Sequence, residues 1–179
     1  MGAPVGPLPS LVALLDELGR SGARLKLVRP ENLHTTIAFL GDVPDDATSR
    51  LSGALDEAVK GTPPLAMRLR GVGAFPSAKR ARVVWCGVAD PAPLAALAAR
   101  ARERLAAAGF AGDEKDFRAH VTLARSTQDA PDEATYRFLE QHGRDELGEW
   151  RLEDVRLFQS VLGPHGPTYT VLHAARLEA

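Results

Sequence analysis

Two short stretches of this chain, HTTIAFLG at residues 34–41 and HVTLAR at residues 120–125, each open on a histidine with a threonine two positions later. The two copies are 120 − 34 = 86 positions apart. On an extended strand, side chains two positions apart share a face. His34 and Thr36 are therefore expected on one face, with Thr35 and Ile37 turned away. His120 and Thr122 are expected to share a face in the same way, opposite Val121 and Leu123. Two imidazoles and two hydroxyls lining one cleft suit phosphoryl chemistry. An imidazole titrates near neutral pH and can take or give a proton. One histidine can activate water while the other protonates a departing alkoxide. The hydroxyls can donate to phosphate oxygens, where negative charge builds. Nothing in this chemistry demands a metal. A single His-x-Thr is a weak pattern, and a packed or surface histidine is its simpler reading. Recurrence at matching points of a repeated layout is what gives the pair weight. Symmetry alone leaves open which histidine is the acid and which the base.

The elements around these motifs repeat. Residues 1–9 hold two glycines and three prolines and read as irregular. A short helix is expected over 10–19, a strand over 24–29 and a second strand over 34–41. Residues 44–61 read as an amphipathic helix, with Leu51, Leu55 and Val59 at four-residue spacing and a terminal glycine. Strands over 65–75 and 81–88 follow, split by the basic loop PSAKR, and then a helix over 93–110. The order restarts with a strand at 119–125, a helix at 132–143, and strands at 150–162 and 168–177 joined by the turn GPHGP. Strand–helix–strand–strand thus occurs twice. The expected fold is α+β, a bilobal duplicated unit of 179 residues with approximate halves 25–109 and 110–179 and strand exchange between the lobes.

The chain resembles the 2H phosphoesterases, and within them the RNA 2′,3′-cyclic phosphodiesterases, also called 2′-5′ RNA ligases. The likeness runs from about Leu25 to Leu177 and is carried by VRPENLHTTIAFLGDVP, GAFPSAKRARVVWCGV, FRAHVTLAR and LFQSVLGPHGPTYTVL. It implies two antiparallel sheets flanking a central groove, with helices on the outside. It implies hydrolysis of 2′,3′-cyclic phosphates to 2′-phosphates without metal or cofactor, and in some members reversible joining of RNA ends through 2′-5′ linkages. Carried onto this sequence, the resemblance makes His34 the proton donor to the leaving 3′-oxygen and His120 the proton acceptor from water. Thr36 and Thr122 would hold the phosphate. Arg125 matches an arginine that often follows the second motif, yet strict alternation points it away from His120. It reaches the phosphate only if the strand ends or bulges near Ala124. Family members open on an apolar strand where this chain has MGAPVGPLP, so that first strand is expected to be missing or distorted.

Other residues carry weaker signals. Lys79, Arg80 and Arg82 read most simply as a solvated loop, and functionally as a basic rim that steers an RNA end. Arg118 could serve likewise. Phe75 could stack a base, although core packing is as good a reading. Phe39, Trp85, Trp150 and Cys86 read as packing residues. His142 and His165 suit surface roles. A zinc ion shared by His34 and His120 with His165, His173 or an acid lacks the usual ligand spacing. Lys and Arg total 22 against 23 acids, for a net charge of −1, which gives no reason to expect a long duplex as partner. One cysteine excludes an internal disulfide framework. No signal peptide and no membrane-spanning stretch are read. The expected protein is therefore a cytoplasmic monomer acting on RNA with a 2′,3′-cyclic phosphate end, such as a transfer-RNA fragment, or on small cyclic nucleotides. The alternatives are 2′-5′ end joining as the main activity, or a non-catalytic module that binds RNA ends or nucleotides.

Overall fold

Apolar spacing accounts for the helices. The structure, a computed structural model, describes residues 1–110, 116–126, 128, 132–163 and 166–179. Helix α1 (Pro9–Arg20) buries Leu11, Leu14, Leu15 and Leu18, one stripe at helical period. Proline at its first position lacks an N–H that would find no partner there. Helices α2 (Thr48–Val59) and α3 (Ala92–Ala107) each bury one leucine-and-alanine stripe. Helix α4 (Glu133–His142) is capped by the Asp132 carboxylate, which accepts the Ala134 N–H. No helix of the described residues is long and apolar enough to cross a membrane.

The strands are β1 (Gly2–Pro4), β2 (Leu25–Leu27), β3 (His34–Thr36), β4 (Leu65–Phe75), β5 (Val83–Val88), β6 (His120–Ser126), β7 (Glu146–Leu152), β8 (Asp154–Gly163) and β9 (Gly166–Arg176). They form one nine-stranded sheet in the order β7-β4-β5-β6-β3-β1-β8-β9, with β2 also paired to β6, and every pairing is antiparallel. This corrects the expectation of two sheets flanking a groove. The reason is local. The two motif strands pair directly with each other, Thr35 opposite Val121. The glycine- and proline-rich start, read as irregular, supplies β1, which fills the place between β3 and β8. The run 150–162, read as one strand, breaks at Glu153. Its two parts lie far apart in the sheet, β7 on β4 and β8 on β1 and β9.

One core cluster takes the apolar stripes of all four helices together with Met67, Leu69, Val84, Cys86, Val121, Leu123, Val155 and Leu157 from the sheet. Thr35, Ile37, Val121 and Leu123 face it, at 1% exposure or less. Trp150 is buried, and burial pushes the Cys86 thiol up to about 12, far from reactive. Two packing expectations fail. Strand β3 stops at Thr36, so alternation no longer governs beyond it: Ile37 and Ala38 are both buried and Phe39 is 65% exposed. His142 is buried rather than superficial. Its Nδ1 lies 2.7 Å from Asp145 and its Nε2 3.1 Å from Glu17, which ties α4 to α1. His165 lies outside the described residues.

Candidate active site

The pairing of β3 with β6 assembles the four motif side chains. Continuing the antiparallel register from Thr35↔Val121 sets His34 opposite Thr122 and Thr36 opposite His120. All four share the face away from the core. The neighbouring strands extend two rows across the sheet. One runs Gly73, Trp85, Thr122, His34, Pro4. The other runs Gly87, His120, Thr36, Gly2, Arg156. The two histidines are thus diagonal neighbours on adjacent strands, a relation that places such Cβ atoms about 7 Å apart.

Each imidazole is oriented by its own chain. His34 Nδ1 lies 2.7 Å from the Asn32 carbonyl oxygen, and His120 Nδ1 lies 2.6 Å from that of Arg118. A carbonyl only accepts, so both Nδ1 atoms carry the proton and donate it. Each Nε2 is left to exchange protons with a ligand. Thr36 Oγ1 stands 3.5 Å from His34 Nε2. Burial pushes the His34 imidazole below its ordinary value; the backbone hydrogen bond to Asn32 opposes this, and the charges of Arg125 and His120 add to it. Burial lowers His120 as well; its backbone hydrogen bond to Arg118 opposes this and the charge of Arg125 adds to it.

Arg125 reaches this face through a bulge. Between the pairs Trp85↔Thr122 and Val84↔Ala124 the register skips Leu123. Leu123 and Ala124, consecutive in sequence, are both fully buried, and Arg125 emerges on the His120 side. Lys26 on β2 pairs opposite Arg125, which sets a second cation at the same edge. The sequence reading did not find Lys26.

Aromatic rings bracket both histidines. His34 meets Phe158 at 5.7 Å and Tyr169 at 5.4 Å between centroids. Beside them a cleft of about 120 Å³ is lined by His34, Glu31, Arg156, Phe158, Tyr169 and Val171, among others. His120 meets Phe75 edge-on at 5.1 Å and Trp85 at 6.4 Å. Phe75 and Arg118 stand at this site together, the guanidinium lying 5.7 Å above the ring. Trp85, read as packing, is half-buried on the site face. Phe158 and Tyr169 lie in the stretch LFQSVLGPHGPTYTVL but were not singled out as site residues; their hairpin reaches the site because β1 joins β8 to β3. Lys79 and Arg80 are exposed on the loop between β4 and β5, as is Arg82 just before β5. Among the described residues no group of three histidine, cysteine or carboxylate side chains is placed to hold a metal ion. His173 is engaged by Asp56 at 2.7 Å.

Gly2 is required by this packing. A Cβ there would lie 2.8 Å from His34 Cδ2 and 3.3 Å from Phe158 Cε2. Gly2→Ala is expected to displace the His34 ring and lower kcat about tenfold or more, the scale of a small misplacement of a reacting group. KM and the urea unfolding midpoint should change little. A wild-type kcat would show that the ring does not depend on Gly2.

The LigT like phosphoesterase family model matches residues 4–85 and again 87–169. The chain is 40% identical over 157 residues to an RNA 2′,3′-cyclic phosphodiesterase of Archaeoglobus fulgidus, covering 87% of this chain and 85% of that protein. It is 32% identical over 162 residues to an RNA 2′,3′-cyclic phosphodiesterase of Methanothermobacter thermautotrophicus, covering 90% and 88%. The crystal structure of TT0787 of Thermus thermophilus matches with a TM-score of 0.79 at 30% identity, over 99% of this chain and 98% of that one. E. coli LigT complexed with 3′-AMP shares the fold, with a TM-score of 0.77 at 24% identity over 100% and 97%. With both motif strands inside the matched stretches, the chain belongs to the LigT like phosphoesterase family.

Proposed function

We propose that this protein hydrolyses RNA 2′,3′-cyclic phosphates to 2′-phosphates, without a metal, by paired histidine acid–base catalysis. The carrying observation is the β3–β6 register, which sets two imidazoles diagonally across one face, each held through Nδ1 with Nε2 left for a ligand. The spacing leaves room for one phosphorus with an oxygen on either side. The printed activity of the relatives supports the choice of substrate.

The cyclic phosphate sits between the rings. Thr36, Thr122 and Arg125 donate to its non-bridging oxygens, where charge grows in the transition state. His120 Nε2 takes a proton from water as its oxygen attacks phosphorus. The P–O3′ bond breaks in line with that attack, and His34 gives its Nε2 proton to O3′. The 2′-ester survives. His34 must begin protonated, although burial and the nearby cations oppose this. The bound phosphate anion supplies the opposite charge that favours the imidazolium. Lys79, Arg80 and Arg82 form a basic rim for an RNA strand. The substrates are RNA ends such as cleaved transfer-RNA fragments, or small cyclic nucleotides, and the enzyme works as a monomer.

The test is to incubate the protein with excess chelator and a short RNA ending in a 2′,3′-cyclic phosphate, then identify the product. A 2′-phosphate formed at an undiminished rate is expected. A 3′-phosphate, or turnover abolished by the chelator, would contradict the mechanism. An RNA bound but left intact would identify a binding module.

A further inference from the structure

We infer that the cleft beside His34 discriminates among terminal nucleobases, and that Glu31 makes guanine its preferred occupant. This rests on the proposed function, with His34 as the acid. Both bridging oxygens of a cyclic phosphate belong to one ribose. Protonation of O3′ by His34 therefore draws that ribose, and the base it carries, to the His34 side.

The cleft there is about 120 Å³ and is bounded by Pro4, Glu31, His34, Arg156, Phe158 and Tyr169, among others. Phe158 and Tyr169 stand 5.8 Å apart between centroids, and each meets His34. They offer a base a ring to stack on, and stacking is tolerant of which base it is. Choice must come from the polar groups. Strand β1 lies between β3 and β8, so Glu31, just before β3, and Arg156, on β8, enter the cleft from opposite sides of β1. Arg156 is already held. Its Nε and Nη2 donate to the Asp154 carboxylate at 2.7 and 3.0 Å, which leaves Nη1 for a ligand. Glu31 is exposed, and among the described residues it has no hydrogen-bond or ion-pair partner. An unneutralised carboxylate beside a site for an anion weakens binding unless it meets donors.

An ionised carboxylate only accepts, through two oxygens. Guanine alone among the common bases presents two adjacent donors, N1–H and the N2 amino group, and can meet both oxygens at once. Its O6 and N7 accept, and suit an arginine N–H. Adenine and cytosine each offer one amino group beside a ring nitrogen that accepts. Uracil offers a single N–H flanked by two carbonyl oxygens, which the carboxylate repels. The expected order puts guanine first and uracil last.

The test measures kcat/KM for the guanosine, adenosine, cytidine and uridine 2′,3′-cyclic phosphates with the wild type and with Glu31→Gln. The guanosine-to-uridine ratio should be about tenfold or more in the wild type, the scale of a hydrogen bond to a charged group. Glu31→Gln keeps the shape and removes the charge, so the ratio should fall toward unity, with the uridine value rising. A wild type that turns over all the bases equally, or prefers adenine, would overturn the inference. So would a variant slowed equally on every base, since Glu31 would then merely support Asn32 and His34. A protein inert on every substrate would instead defeat the proposed function. Binding then decides the subsite: guanosine 2′-phosphate should bind about tenfold more tightly than uridine 2′-phosphate by calorimetry. Equal affinities would overturn it.

Discussion

His34→Ala and His120→Ala each lower kcat/KM for a cyclic-phosphate RNA by about a hundredfold or more, as loss of a general acid or base should. The folded state should survive both changes. Each side chain stands partly exposed on the open face, and the core lies behind Thr35 and Val121. The two losses are expected to differ in kind. A leaving group that departs as a stable anion needs no proton, so a p-nitrophenyl phosphodiester bypasses the acid. On that substrate His34→Ala should lose about tenfold at most, whereas His120→Ala should keep its full defect. Rescue of His120→Ala in place of His34→Ala would exchange the two roles. Wild-type rates in both variants would remove proton transfer from the mechanism.

Arg125→Gln should act on rate and on pH dependence together. Loss of a charged donor to the phosphate should lower kcat/KM about ten- to a hundredfold. The pH effect follows from the site's charges. Burial holds both imidazoles below their ordinary value of 6.5, and Arg125 pushes both further down. Turnover requires one proton on the pair, and kcat/KM reports the free enzyme. The wild-type optimum of kcat/KM should therefore lie below pH 6.5. Removing the guanidinium relieves part of the depression, so the profile of Arg125→Gln should move to higher pH. A loss of rate with an unmoved profile would place Arg125 too far from the histidines to act as described.

The chemistry was legible in the sequence because it rests on a period of two. Alternation alone set His34 with Thr36 and His120 with Thr122, each pair opposite its own apolar or buried neighbours; that both pairs share one face of one sheet follows only from the pairing of β3 with β6. The bulge at Leu123 was only a condition in that reading, since one extra residue leaves no mark on composition. The single sheet was not legible. It depends on β1, three residues long and drawn from Gly, Ala and Pro, types depleted in strands. It depends also on the break at Glu153, where a continuous run of strand formers changes partners. Pairing, not propensity, decides both. Phe75 apart, the aromatic brackets were missed for the same reason. Trp85 and Phe158 sit in apolar strands, and only the register shows which face they occupy. Phe39 went the other way, because alternation was extended past the end of β3.

The central claim is that one phosphorus atom lies between the two imidazoles. Histidine titrations followed by nuclear magnetic resonance, with and without saturating adenosine 2′-phosphate, test it without altering the protein. The pKa values of His34 and His120 should both rise when the phosphate binds. If either His34 or His120 titrates unchanged in the saturated complex, the two rings do not share the phosphate and the mechanism fails.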